Sequence, residues 1–210
     1  MPLTPYGRKQ AYIAGEQLKA LIGDEQLFCY YSPYKRTKET VGELCKHLRE
    51  DSIISIREEP RISEQQFGNF QNVEQVIQAK QERHEFGRFY YRFKSGEAGL
   101  DVYSRVSSFI STLVRDCQQY QKAGYDLDNI NVVIVTHGLS LRLFLMRWFQ
   151  FSVEEFEASE NPKNAQLIVM KKKCVEGHRW YELAPEHRAA LCLPETCGVP
   201  KNVQLHGLIK

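Results

Sequence analysis

No stretch of this chain is apolar for long enough to cross a bilayer. Its densest run, Val132 to Val135, is far short of the ~20 residues a membrane helix needs. Met1 leads into Pro2-Leu3-Thr4-Pro5, without the charged and apolar regions of a signal peptide. Charge of one sign is also lacking. The 28 Lys and Arg against 26 Asp and Glu leave +2, too little to argue for a nucleic-acid partner. The six cysteines show no framework spacing, which excludes a disulfide scaffold, and with His187 and His206 they match no zinc template. They read as reduced, partly buried thiols of a cytosolic or nuclear protein. There is no internal repeat, so a solenoid is excluded.

What is present is a chain of 210 residues, 42% hydrophobic and 26% charged, enough for one globular domain with a substantial core. Thr4-Pro5 opens a helix with the stripe Ala11, Ala14, Leu18, Leu21, Ile22, and Gly23 closes it. Leu27 to Tyr31 reads as a strand stopped by Pro33, and a helix on Val41, Leu44, Cys45 and Leu48 follows. Ile53 to Ile56 is a short strand, and Arg61 to Phe70 is a loop without period. From Val73 to about Phe93 the chain is polar and leans to helix. A long amphipathic helix is expected over about Leu100 to Tyr120, and Val132 to Val135 reads as a strand buried on both faces. Ser152 caps a further helix, and Leu167 to Met170 is a strand. Lys171-Lys172-Lys173 and Glu176-Gly177 form a turn into a strand at Trp180 to Leu183. Residues 1–184 form the domain, and an irregular tail is expected over 185–210. Alternating strands and helices predict an α/β fold, a three-layer α/β/α sandwich.

Two strand-to-helix turns carry candidate chemistry. His137, in Thr136-His137-Gly138, sits at the carboxyl end of a strand, where open α/β sheets place ligands. An isolated turn histidine is as often structural as chemical. Arg36, in Ser32-Pro33-Tyr34-Lys35-Arg36-Thr37, sits at the second such turn, where a guanidinium and free backbone N–H groups can hold a phosphate. Read alone, it is equally a solvated arginine. The cluster Arg83, Arg88, Tyr90, Tyr91, Arg92 has the basic and aromatic make-up of a single-strand binder, but Glu82 and Glu85 interrupt it and it reads as a solvated flap.

These two turns, with Ser63-Glu64-Gln65-Gln66-Phe67-Gly68-Asn69-Phe70 between them and Leu3-Thr4-Pro5-Tyr6-Gly7-Arg8-Lys9-Gln10-Ala11 before them, resemble the histidine phosphatase superfamily, the phosphoglycerate mutase-like fold. The similarity covers about Leu3 to Leu183. It implies phosphoryl transfer from a small phosphorylated substrate through a phosphohistidine, with no cofactor and no metal. In that likeness His137 stabilises the transferring phosphoryl, Arg36 neutralises its oxygens, and Glu64 protonates the leaving oxygen. Gly138 follows His137 at the pocket; Arg88 and Arg92, which no family motif fixes, are the candidates to reach the rest of an anionic substrate.

One family feature has no match. The Arg-His-Gly triplet, with the nucleophilic histidine and first pocket arginine, would stand upstream of Leu3. Gly177-His178-Arg179 reads it backwards, and Leu205-His206-Gly207 has leucine where arginine is required. The expectation is a family member missing its first strand and inactive as it stands. The resemblance puts that strand between those matching Val132–Val135 and Leu167–Met170. Its absence predicts unpaired strand edges and a tendency to self-associate. A non-catalytic module that binds phosphate esters and an interaction protein with a vestigial pocket are the other readings.

Overall fold

The computed structural model describes residues 1–68, 72–176, 178–195 and 197. The chain divides into two compact units. One comprises Met1–Glu64, Ser107–His137 and Lys163–Leu167; the other comprises Gln65–Val106, Gly138–Pro162 and the described residues from Ile168 on.

The first unit is built on three parallel strands: β1 (Gln26–Tyr31) lies between β2 (Ile53–Glu58) and β3 (Ile130–Val135). Side chains alternate along β1, so its two faces meet different layers. Leu27 and Cys29 join Val135 in a core with α1 (Pro5–Ile22) and α2 (Lys35–Cys45), through Ala14, Leu18, Ile22, Val41 and Leu44. Phe28 and Tyr30 point the other way, onto Tyr120 and Phe109 of α4 (Gly99–Lys122). Helix, sheet and helix are thus the three layers expected, and the fold is α/β.

The helix starts follow local rules. Thr4 Oγ1 accepts the Gly7 amide at 3.0 Å, Pro5 presets the first turn, and Gly23 ends α1 at φ 59°. Small residues on α1 let α2 approach closely: a Cβ on Gly15 would stand 3.1 Å from the Leu44 backbone.

The polar contacts behind Tyr30 tie the sheet to α4. The Tyr30 hydroxyl donates to Asp116 at 2.8 Å, and Arg57 reaches the same oxygen at 3.0 Å. Past β2, Glu59 accepts from the backbone, Nε and Nη2 of Arg61 at 2.9, 2.8 and 2.6 Å, while Arg61 Nη1 donates to Ser108 and Thr112. Burial acts to raise the Glu59 pKa, but the Arg61 hydrogen bonds outweigh it and hold the carboxyl below its ordinary 4.5. A depressed folded pKa contributes stability that is present above pH 4.5 and lost as pH falls through the lower folded value. Glu59→Gln is therefore expected to flatten the acid limb of stability, measured as the urea midpoint between neutral pH and pH ~3. An unchanged acid limb would remove Glu59 from the account.

Four expectations are corrected. Val132 to Val135 is not buried on both faces: Val135 is buried but Val132 is 39% exposed. The reason is position, since β3 ends the three-strand order and its outer edge has no strand partner among the described residues. The strand expected over Leu167 to Met170 starts only at Met170. Leu167 packs against the core of the first unit, and the strand is β4 (Met170–Val175), paired antiparallel with β5 (His178–Leu183) in the second. The lysine run expected in the turn is strand, because the backbone ladder with β5 sets its conformation whatever the side chains. The residues after Pro185 are not wholly irregular: α7 (Pro185–Ala190) forms on a proline first turn, and Leu191, Leu193 and Cys197 are buried.

The second unit also holds α3 (Val73–Phe86), α5 (Gly138–Phe149) and α6 (Val153–Ala158), the last closed by a capping box between Ser152 and Glu155. Its loop at Gln65–Gly68 lies backbone to backbone on Lys94–Glu97. Gly68 has φ 85°, and a Cβ there would stand 2.2 Å from the Lys94 carbonyl, so only glycine fits. Among the described residues no helix is long and apolar enough to cross a membrane.

Candidate functional site

β1 and β3 run in parallel register and stop together, Tyr31 opposite Val135, with the Ser32 amide donating to the Val135 carbonyl at 3.0 Å. Each strand then turns into a helix at its carboxyl end. The turn after β1 is held by Thr37, whose hydroxyl is 2.7 Å from the Ser32 carbonyl and 2.6 Å from that of Tyr34. The turn after β3 is held by Thr136, whose hydroxyl donates to the Ile62 carbonyl at 2.7 Å. Three loops distant in sequence are thereby fixed beside one another.

Arg36 and His137 meet there. Arg36 Nη2 lies 2.8 Å from His137 Nδ1 across 101 residues of chain. The other ring nitrogen, Nε2, is 2.8 Å from Ser32 Oγ. Tyr34 completes the cluster: its ring lies 4.6 Å beneath the Arg36 guanidinium and 5.0 Å edge-on from the His137 ring. Ser32 and His137 are buried, at 0% and 8% exposure, while Arg36 and Tyr34 are half-buried. A guanidinium beside an imidazole ring, at the end of two parallel strands, is suited to a compact anion. Cys29, the thiol on the same strand, is not a competing nucleophile. Burial, and secondly Cys45, push it up to about 12, so it carries no thiolate at neutral pH.

Glu64 is half-buried, two residues beyond the Ile62 carbonyl that anchors Thr136. The remaining sequence candidates lie in the second unit. Arg88 donates to the Ser159 carbonyl at 3.2 Å, and Arg92 is exposed, 2.7 Å from Asp101. Gly138 heads α5, and a Cβ there would meet the Asn161 side chain at 2.5 Å, so a larger residue would have to displace that side chain. Of the two substitutes for the missing triplet, His178 is exposed at the start of β5, and Gly177 and His206 lie outside the described residues. Within the first unit the other histidine, His47, packs on Tyr12 of α1 at 4.2 Å.

Sequence reasoning overlooked Ser32 and Tyr34 as site residues. Both stand inside a quoted motif, and the available signal was a hydroxyl residue closing an apolar strand, where a fully buried polar group needs a partner.

The sequence profile of the Histidine phosphatase superfamily (branch 1) matches residues 1–181. Two phosphoglycerate mutase-like proteins of Arabidopsis thaliana are similar. AT74H is 42% identical over 180 residues, covering 81% of this chain and 64% of the relative. AT74 is 44% identical over 175 residues, covering 80% and 55%. The chain thus spans less than two thirds of the length of these two relatives. Among solved structures, mycobacterial glucosyl-3-phosphoglycerate phosphatase in complex with VO3 aligns with a TM-score of 0.67 at 20% identity, over 87% of this chain and 85% of that one. At that identity the likeness is one of fold.

Proposed function

The chain belongs to the histidine phosphatase superfamily, and on that premise we propose that Arg36, His137 and Ser32 form a binding site for the phosphoryl group of a small phosphate ester. The observation that carries this reading is the 2.8 Å contact between Arg36 and His137 at the ends of two neighbouring parallel strands. Phosphoryl transfer asks a protein for positioning and for positive charge around three equatorial oxygens. Arg36 supplies the charge and His137 a directed hydrogen bond. Glu64 is the general acid for the leaving oxygen.

The second reading, binding of phosphate esters without turnover, is favoured by one observation. Among the described residues of the first unit, the histidine other than His137 is His47, which is packed on Tyr12 instead. A phosphohistidine mechanism requires a nucleophilic ring in line with the phosphoryl as well as the one that stabilises it. We propose that this chain by itself binds the ester and does not form the covalent intermediate.

Thermal unfolding with inorganic phosphate tests the site. A ligand at a hundred times its dissociation constant stabilises by about 2.7 kcal/mol. Arg36→Ala is expected to remove that stabilisation, because a charge-assisted contact is worth ~1.5–3 kcal/mol and is the main source of affinity here. Phosphate stabilisation that survives Arg36→Ala undiminished would place the site elsewhere.

A further inference from the structure

His137 has a partner at each ring nitrogen, and the partners decide where its proton lies. A guanidinium only donates, so Nδ1, 2.8 Å from Arg36 Nη2, presents its lone pair. In the neutral ring the single N–H is then on Nε2, where it donates to Ser32 Oγ at 2.8 Å. That acceptor cannot drift. Ser32 is fully buried, its amide is tied to Val135, and its carbonyl takes the Thr37 hydroxyl. The lone pair at Nδ1 can hold the guanidinium hydrogen or a proton, and not both.

Resting on the reading that this cluster binds a phosphoryl group, we propose that Ser32 is a positioning residue that fixes the His137 tautomer, and that an anion on Arg36 is bound together with one proton taken up at Nδ1. The balance is simple. The anion draws the Arg36 N–H donors to its own oxygens, and the released lone pair at Nδ1 takes a proton from solvent. The ring becomes an imidazolium whose Nε2–H stays on Ser32 and whose new Nδ1–H points at the anion. No other bond forms or breaks. Binding therefore strengthens as pH falls, because the bound state carries one proton more than the free state.

Ser32, Tyr34 and Arg36 come from the turn after β1. The Thr136 hydroxyl is committed to Ile62. Along the loop past Ile62 the first titratable side chain is Glu64, which is the alternative seat for the proton.

Sulfate is the probe, since it stays a dianion throughout and takes up no proton itself. Calorimetric titration into the full chain, at several values between about pH 5.5 and 8 and in buffers of different ionisation enthalpy, counts protons per anion bound. The expected count approaches one, with affinity rising about tenfold per pH unit where uptake is complete. Nitrogen spectra of histidine-labelled protein are expected to show His137 with a bare Nδ1 when free at alkaline pH and a protonated Nδ1 with sulfate. Ser32→Ala is expected to mix the two tautomers in the free protein and weaken sulfate about tenfold.

Sulfate binding without proton uptake overturns the inference and leaves the phosphate site standing. Failure of both sulfate and phosphate to bind removes the site itself. Uptake that persists in His137→Asn puts the proton on Glu64 and overturns the assignment. An unmixed tautomer in folded Ser32→Ala removes the role of Ser32. Should that variant fail to fold, the wild-type spectra and His137→Asn still decide the proton's place.

Discussion

Turnover of aryl phosphates and phosphoglycerates by residues 1–210 is expected to be indistinguishable from background. The cluster at the ends of β1 and β3 contains one histidine and one arginine, and the chemistry asks for more. Removing a covalent nucleophile costs on the order of 10⁴–10⁶-fold in hydrolases where the effect has been dissected. A second pocket cation contributes on top of that, because charge neutralisation in a dry site is usually the largest single contribution. Glu64 acting alone as a general acid supplies roughly 10²–10⁴-fold, and only on a phosphoryl already held in place. Adding a strand that ends in Arg-His-Gly ahead of Leu3 is expected to restore release of p-nitrophenol. His137→Ala in that fusion should abolish it again. Robust turnover by the unaltered chain, lost on substituting His178 or His206, would show a different nucleophile at work.

Arg142→Ala is expected to be strongly destabilising, as much as truncation of a buried core aromatic. Arg142 lies on the buried face of α5 and is 4% exposed, yet no carboxylate is among its hydrogen-bond partners. Its guanidinium donates instead to Ser159 Oγ at 2.8 Å, the Phe156 carbonyl at 2.8 Å and Asn161 Oδ1 at 3.3 Å, and lies 4.5 Å over the Phe156 ring. Burial, with the neighbouring charge of Arg88 behind it, pulls its pKa down to about 10, so the cation persists at neutral pH. Truncation leaves three acceptors without that donor and a cavity where the guanidinium lay. Each buried acceptor left unsatisfied costs about 1–3 kcal/mol, and relief of the buried cation's desolvation offsets part of the sum, which leaves a net loss of about 3–5 kcal/mol. For a chain of this size that corresponds to roughly 6–20 °C in the unfolding midpoint. Asn161, whose side chain lies against the glycine at the head of α5, would also lose its anchor. Arg142→Met, which fills the volume without the charge, should cost less than the alanine. A loss below about 1 kcal/mol for Arg142→Ala would mean that the second unit relaxes around the site.

Much of the molecule was written locally. Thr4 and Pro5 start a helix, Gly23 ends it, and Ser152 with Glu155 closes a capping box, because caps depend on residues within one turn of each other. Strand followed at once by helix is likewise a local pattern, and it was enough to put Arg36 and His137 at the ends of their strands. Membership of the superfamily was legible in the same motifs. What tertiary structure decided were matters of neighbours. Val132 has the apolar character of a buried strand residue and is exposed because β3 lies at the end of the sheet order, which no property of Val132 encodes. The lysines at 171–173 look like a turn and form strand because β5 supplies their hydrogen bonds. The tautomer of His137 belongs to the same class. Composition and spacing named the ring as a candidate, but the nitrogen that carries its proton is set by a guanidinium 101 residues away and a hydroxyl 105 residues away, which only packing brings to 2.8 Å.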